Sequence, residues 1–257
     1  RKPVLLIGFP QAVNNAPSPC KSQLANLQVS VMPATAVEIS NYTWTHAGRA
    51  QPAVDKLNLR IPAGERVLIC GDSGSGKSTL VSAIAGVLGG DEEGDQTGSL
   101  KLSDDSGTRE AADSMIPVGL VLQDPDSQVI ASRVGDDVAF GCENLGLERT
   151  EIWRRVREAL PLVGLDLPLD HPTAQLSGGQ KQRLALAGVI AMRPGIIILD
   201  EPTANLDPQG AHDVVAAVAN VVEHTGATLL VVEHNYEVWE DVPVSYTHLT
   251  LPTSDLV

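Results

Sequence analysis

The stretch GDSGSGKST at residues 71–79 constrains this chain more than any other. Glycines at 71, 74 and 76 allow backbone conformations closed to other residues, so successive N–H groups can turn toward one point. The spacing Gly71-x-x-x-x-Gly76-Lys77-Ser78 matches a loop that wraps phosphate groups. Lys77 supplies a point charge for the terminal phosphate oxygens, and the Ser78 hydroxyl suits a Mg2+ ion. Such a loop joins a strand to a helix, and both are legible. ERVLIC (65–70) reads as a short buried strand, while Leu80, Val81, Ile84, Ala85 and Leu88 recur at helical spacing. Gly71, Asp72, Ser73, Gly74, Ser75, Gly76, Lys77, Ser78 and Thr79 are therefore the expected phosphate cradle.

Further strands follow the same style. VGLVL (118–122), GIIILD (195–200) and TLLVV (228–232) are continuously apolar, as strands covered on both faces tend to be. Asp207 followed by Pro208 signals a helix start, with Val214, Val215, Val218, Val221 and Val222 on one side and Gly226 as the stop. Alternating strands and helices predict an α/β fold with a largely parallel sheet. Residues 124–175 break this rhythm. Ile152, Trp153, Val156, Ala159, Leu160 and Val163 mark one amphipathic helix, which Pro161 should kink or shorten, and the segment reads as a helical insertion. GGDEEGDQTGS (89–99) reads as a polar loop.

Two other stretches carry chemistry. In IIILDEPT (196–203) Asp200 stands at a strand end, where it can enter a Mg2+ shell, and Glu201 can face an attacking water. LSGGQKQR (176–183) reads as a helix start, with Ser177, Gly178 and Gly179 where backbone N–H groups lie open to an anion. Packing of Leu184, Leu186, Val189 and Ile190 explains that helix's apolar side, but not its glycine pair. One chain thus carries two phosphate seats.

Taken together, GDSGSGKST, the glutamine of LVLQD (Gln123), LSGGQ, ILDEPT, ANLD (204–207) and the histidine of VVEHN (His234) resemble the ATP-binding-cassette (ABC) ATPases over about 34–242. The resemblance implies a phosphate-loop NTPase cassette with a mostly parallel central sheet, an antiparallel β region near the N-terminus and a helical insertion subdomain. It implies ATP and Mg2+ as ligands, with Ser78, Gln123 and Asp200 around the metal and Glu201, His234 and Gln123 in catalysis. It also implies a head-to-tail pair, homo- or heterodimeric. Ser177, Gly178, Gly179 and Gln180 of one subunit would cap ATP held by the other, with Asp207 at the seam. The two seats would then serve two different ATP molecules. One departure stands out. Where the family's F-x-Y-x-G stretch places an adenine-stacking tyrosine, WTHAG (44–48) has His46, which stacks more weakly, and Trp44 reads as a core or rim packer.

QDPDSQVIASRVGDDVAFGCENLGL, which starts at Gln123, further resembles the ATPases of energy-coupling-factor importers, which serve vitamins and transition-metal ions. That resemblance implies integral membrane transport subunits as partners and a peripheral place on the cytoplasmic face. The alternative is a soluble ATPase acting on ribosomes or DNA, although no long coiled coil fits between Gln123 and Ser177. A net charge of −14 disfavours nucleic acid as a partner. The three cysteines (Cys20, Cys70, Cys142) are odd in number and far apart, so neither disulfides nor a zinc site is expected.

The two ends read differently. Residues 1–31 lack periodicity, and the native start is expected at Met32 or a neighbouring alternative codon at Val31. VSYTHLTLPT (244–253) back-translates to a sequence resembling the end of a transposase-based sequencing adapter. Residues 244–257 are therefore expected to be foreign, and the natural cassette to continue beyond about 242.

Overall fold

The computed structural model describes residues 6–7, 34–88, 93–113, 118–234, 236–239, 242 and 245–248. Cys20, the Met32 start and most of 1–31 and 244–257 lie outside them. The strands are β1 (Leu6–Ile7), β2 (Ala36–His46), β3 (Val54–Ile61), β4 (Arg66–Cys70), β5 (Gly94–Asp104), β6 (Gly107–Glu110), β7 (Val118–Val121), β8 (Ile196–Asp200), β9 (Thr228–Val232) and β10 (Ser245–His248). The helices are α1 (Lys77–Ile84), α2 (Val134–Asn144), α3 (Arg149–Leu162), α4 (Gly178–Ala191) and α5 (Pro208–Thr225).

The main sheet runs β1-β10-β4-β9-β8-β7, parallel throughout except for β1. Strands β4, β8 and β9 are buried on both faces, and alternate residues enter two different cores. Leu68, Ile197, Leu199, Leu229 and Val231 pack with the α2–α5 layer. Val67, Ile69, Ile196, Ile198, Leu230 and Val232 pack with α1 and a second, antiparallel sheet of order β3-β2-β5-β6. Trp44 and Tyr42 of β2 lie at 0% and 1% exposure in that second core, so Trp44 is a core residue. This is the α/β architecture expected from the sequence, with the antiparallel region and helical insertion in place. Cys70 and Cys142 are buried and free.

Strand register brings the loops of the site together. Val121 pairs with Leu199, Asp200 with Val232, and Ile69 with Val232. Four strands therefore end nearly level, and the chain leaves each of them at the same edge of the sheet.

Several local expectations need correction. Residues 94–99, read as loop, belong to β5 and pair with β2 from Ser40 to His46. Their polar composition concealed a strand because residues 95–98 are exposed and face no core. Helix α1 stops at Ile84, capped by Ala85, so Leu88 packs against the second core from beyond the helix. Pro161 lies within the final turn of α3, where its missing N–H denies the Arg157 carbonyl an intrahelical partner, and the helix ends one residue later at Leu162, shortened as expected. The insertion contains a second helix, α2, whose Val134, Val138, Ala139 and Cys142 are buried on one side. The 245–248 segment takes a place beside β4, with Ser245 opposite Val67 and His248 opposite Cys70. β1 pairs with β10 in turn. An edge of β4 open on that side offers unpaired N–H and C=O groups that an extended segment can satisfy.

Gly119 shows how closely α4 presses on the sheet. A Cβ there would lie 2.1 Å from Cγ1 of Val189 and 3.2 Å from Cγ of Pro194. Gly119→Ala should cost about 1–3 kcal/mol through overpacking against a stiff β-branched side chain. Adding Val189→Ala should return much of the loss. Denaturant melts of the single and double variants test this, and an unshifted midpoint for the single variant contradicts it.

Candidate functional site

The loop between Cys70 and Lys77 occupies the carboxyl end of β4. Gly76 has φ +81, and a Cβ on it would sit 2.1 Å from the Ala53 carbonyl oxygen, so only glycine fits where the loop meets α1. Lys77 is 4% exposed. Its Nζ donates to the carbonyls of Gly71 (2.8 Å) and Asp72 (2.9 Å) and reaches Ser75 Oγ at 3.5 Å. The lysine charge is therefore held over the loop by weak neutral acceptors that an anion can displace. A cavity of about 660 Å³ opens here, lined by the loop together with His46, Arg49, Thr79, Glu201 and His234. His46 is fixed by two contacts: Trp44 Nε1 donates to its Nδ1 (3.2 Å), and its Nε2 meets Thr79 Oγ1 (3.0 Å). The Trp44 bond requires an unprotonated Nδ1, so in this arrangement Nε2 donates to the threonine.

The ends of β8 and β9 supply the opposite wall. Ser78 Oγ donates to Asp200 Oδ1 at 3.3 Å, joining the first helical turn to the strand end. Burial pushes the Asp200 carboxyl up from its ordinary value. The Glu201 and Glu233 charges push the same way, while the Ser78 bond and Lys77 oppose them. Glu201 takes a left-handed backbone, φ +48, although it is not glycine. Such a conformation costs on the order of 1–3 kcal/mol and persists where neighbours enforce it. Here its N–H donates to the Val232 carbonyl (2.8 Å), and Oε1 lies 2.9 Å from His234 Nε2. Behind this pair, Glu233 is buried at 2% exposure. It accepts from Thr203 Oγ1 (2.5 Å) and from the His234 N–H (3.0 Å), tying the loop after β8 to the loop after β9.

The other expected site residues lie elsewhere. Gln123 is exposed just past β7 and outside the cavity lining, and its carbonyl accepts from Asn205 Nδ2 (3.5 Å). Ser177 caps α4 through a reciprocal bond with Gln180: each side chain accepts from the other's backbone N–H, at 3.3 and 2.9 Å. Asp207 caps α5, accepting from the N–H groups of Gln209 (3.1 Å) and Gly210 (3.0 Å). The two helix starts abut, since a Cβ on Gly179 would stand 3.1 Å from Gly210 Cα and one on Gly178 would stand 3.2 Å from Leu206 Cδ2. Packing therefore bears on Gly179, which faces the Gly210 backbone, whereas Gly178 meets only the end of a leucine side chain. Ser177, Gly178, Gly179, Gln180 and Asp207 form a second surface, separate from the cavity lining. Sequence reasoning overlooked Arg49, Thr203 and Glu233. The last was detectable as a carboxylate directly after an apolar strand, the same placement that singled out Asp200.

Residues 54–204 match the family described as ABC transporter. The chain belongs to that family. It is similar to the energy-coupling factor transporter ATP-binding protein EcfA1 of Lacticaseibacillus paracasei, 41% identical over 201 residues, spanning 78% of this chain and 70% of the relative. A putative ABC transporter ATP-binding protein of Methanosarcina mazei is 40% identical over 205 residues, but the match spans only 35% of that longer protein. Among solved structures, cbiO1 from Clostridium perfringens, described as part of the ABC transporter complex cbiONQ, is 30% identical at a TM-score of 0.69. That alignment covers 84% of this chain and 86% of cbiO1. A dimeric ATP-binding cassette in a post-hydrolysis state bound to ADP and phosphate is 26% identical at a TM-score of 0.65, covering 83% and 94%.

The chain is thus an ABC ATPase cassette, and ATP is the nucleotide of its family. The donor set also suits a Mg2+ ion that keeps most of its shell on phosphate and water. Among the described residues no cluster of three or more His, Cys, Asp or Glu side chains could hold a metal by itself. Ser78 and Asp200 stand within bonding distance of one another, and burial disfavours the Asp200 anion until a cation compensates it. A carboxyl raised in the folded state contributes stability below its unfolded value and loses it as pH rises through the folded value. Asp200→Asn should therefore raise the melting temperature of the nucleotide-free cassette at neutral pH. The gain should shrink as pH falls toward about 4, near the unfolded carboxyl value. Thermal melts over that range check the sign, and a lower melting temperature at pH 7 refutes it.

Proposed function

We propose that this cassette is the ATP-hydrolysing subunit of an energy-coupling-factor importer for a vitamin or transition-metal ion. It works as a head-to-tail dimer on the cytoplasmic face of the membrane. The observation that carries this reading is the division of the chain into two separate surfaces. The phosphate loop, Glu201 and His234 share one cavity, with Asp200 bonded into it through Ser78. Ser177–Gln180 and Asp207 lie outside that lining. Two copies placed head to tail complete each other, with the α4 amino terminus of one directed at the terminal phosphate held by the other.

In this reading Lys77 leaves the Gly71 and Asp72 carbonyls for phosphate oxygens, and the N–H groups of residues 73–79 surround the phosphates. Ser78 and Asp200 would hold Mg2+ with Gln123 at its shell, and the ion would supply charge neutralisation at the phosphates. Glu201 orients the attacking water and accepts its proton, while His234 holds the Glu201 carboxylate and contacts the γ-phosphate. His46, locked edge-on to Trp44 with ring centres 6.0 Å apart, flanks the adenine. The names of the relatives support the importer class. No helix among the described residues is long and apolar enough to cross a membrane, so the proposed membrane association runs through integral partner subunits.

Glu201→Gln tests the chemistry directly. Phosphate release should fall about 10²–10⁴-fold, the range for losing a general base. MgATP should still bind and should trap a dimer visible by analytical ultracentrifugation. Turnover equal to that of the parent would remove Glu201 from the role given to it.

A further inference from the structure

Helix α3 carries its arginines on two sides, and only one side is neutralised. Arg154 pairs with Glu151 (2.7 Å) and Glu158, Arg155 pairs with Glu151 (2.7 Å), and Arg193 joins the same two carboxylates (3.9 and 3.4 Å). Arg149 and Arg157 form no ion pair with any described residue, and neither does Arg133 at the start of α2. Arg157 Nη1 reaches only the Trp153 carbonyl of its own helix (3.3 Å). Arg149, Trp153 and Arg157 recur at four-residue spacing and so share a face. That face and Arg133 line a cleft of about 310 Å³, together with Leu169, Asp136 and Asp170. No residue of this cleft lines the nucleotide cavity. Its floor is fixed. The Gly135 N–H donates to the Leu169 carbonyl (2.8 Å), the Val134 N–H donates to the His171 carbonyl (3.0 Å), and Arg133 bridges to Pro172. A Cβ on Gly135 would stand 2.9 Å from Leu169 Cβ and 3.2 Å from Trp153 Cζ3, so the indole is wedged in place. The first two N–H groups of α2 are therefore already spent, which leaves recognition to the side chains.

We propose that this cleft binds a phosphorylated sugar, at a site separate from the nucleotide cavity and independent of the transport reading. Three like charges beside one hollow repel one another, although the chain as a whole carries −14. An anion that enters removes that repulsion. Each guanidinium offers parallel N–H groups that match two phosphate oxygens. Asp136 and Asp170 oppose a bare dianion, but their carboxylates accept hydrogen bonds from hydroxyl groups, which a sugar supplies. The Trp153 indole and Leu169 give the C–H side of the ring an apolar surface. Inorganic phosphate would use the arginines and leave the carboxylates repelled, while a neutral sugar would leave the arginines uncompensated. An ester that joins the two satisfies both sets. The volume lies at the small end of ligand sites and suits a pentose or hexose monophosphate.

The test uses the full chain and reads Trp153. The other tryptophans, Trp44 and Trp239, are both 0% exposed, so quenching by acrylamide reports on the cleft indole. Ribose 5-phosphate and glucose 6-phosphate are titrated at constant ionic strength. At least one should protect Trp153 saturably, with a midpoint at or below about 1 mM. Ribose, glucose and inorganic phosphate should each act at least about tenfold more weakly. Arg149→Ser and Arg157→Ser should each weaken binding of the ester about tenfold, the size of one lost charge-assisted contact. Both positions are exposed, so the melting temperature and the ATP hydrolysis measured without sugar phosphate should match the parent. Trp153→Phe should remove the signal. The proposal is overturned if neither ester protects saturably below about 10 mM. Equal protection by inorganic phosphate would also overturn it, because the arginines would then be a general anion patch. So would undiminished binding in both serine variants, or a signal that survives Trp153→Phe. None of these outcomes depends on the Glu201→Gln result, so failure here leaves the ATPase reading standing.

Discussion

Everything in this cassette that handles phosphate depends on parallel strands of matched length ending level. Because β4, β9, β8 and β7 are hydrogen-bonded in register, the residues that come after them leave the sheet at one edge. The phosphate loop, Glu233–His234 and Glu201 are neighbours for that reason, and Leu122–Gln123 leave the sheet at the same edge. The register is set by burial on both faces, which gives every residue from Ile196 to Leu199 at most 1% exposure. A slip of one residue would exchange the two cores and send each side chain to the wrong face.

At that edge the chain holds charge and strain ready for a ligand. Asp200, Glu201 and Glu233 stand close to a single buried lysine, and the Asp200 carboxyl is raised by burial and by its acidic neighbours. Glu201 keeps a left-handed backbone against its own preference because the ladder to Val232 continues one residue past β8. In the proposed reading a divalent cation would relieve the first of these tensions. The second persists and aims a carboxylate toward the cavity instead of into the sheet. Glu233 acts behind them, joining Thr203 to the His234 backbone, so the two loops that carry the proposed water-handling pair behave as one unit.

The second surface has a different basis. The amino ends of α4 and α5 touch through Gly179 and Gly210, and each start is capped by its own side chain, Ser177 or Asp207. Residues that a family resemblance assigns to a neighbouring subunit's ATP therefore also serve the internal architecture of this one. A packing role and an interfacial role are compatible at α4, because the Ser177 cap takes the N–H of Gln180 and not those of Gly178 and Gly179.

The sequence by itself determined the fold class, the four core strands, the phosphate loop, the strand-end carboxylates and the start and stop of α5. Each of these is local: an apolar run, a glycine spacing or a cap residue states its own conformation. The polar half of β5 and the helix α2 were not read, since one has no buried face and the other carries glycines within a short amphipathic pattern. Only the tertiary structure decided that Gln123 stands apart from the cavity, that Gly179 packs closely on Gly210, and that Glu233 anchors Thr203 and His234. It alone brought Gln182 across sixty positions to Leu122. Such pairings depend on how two layers meet across the sheet, and no local pattern encodes which distant backbone a buried carboxamide will find.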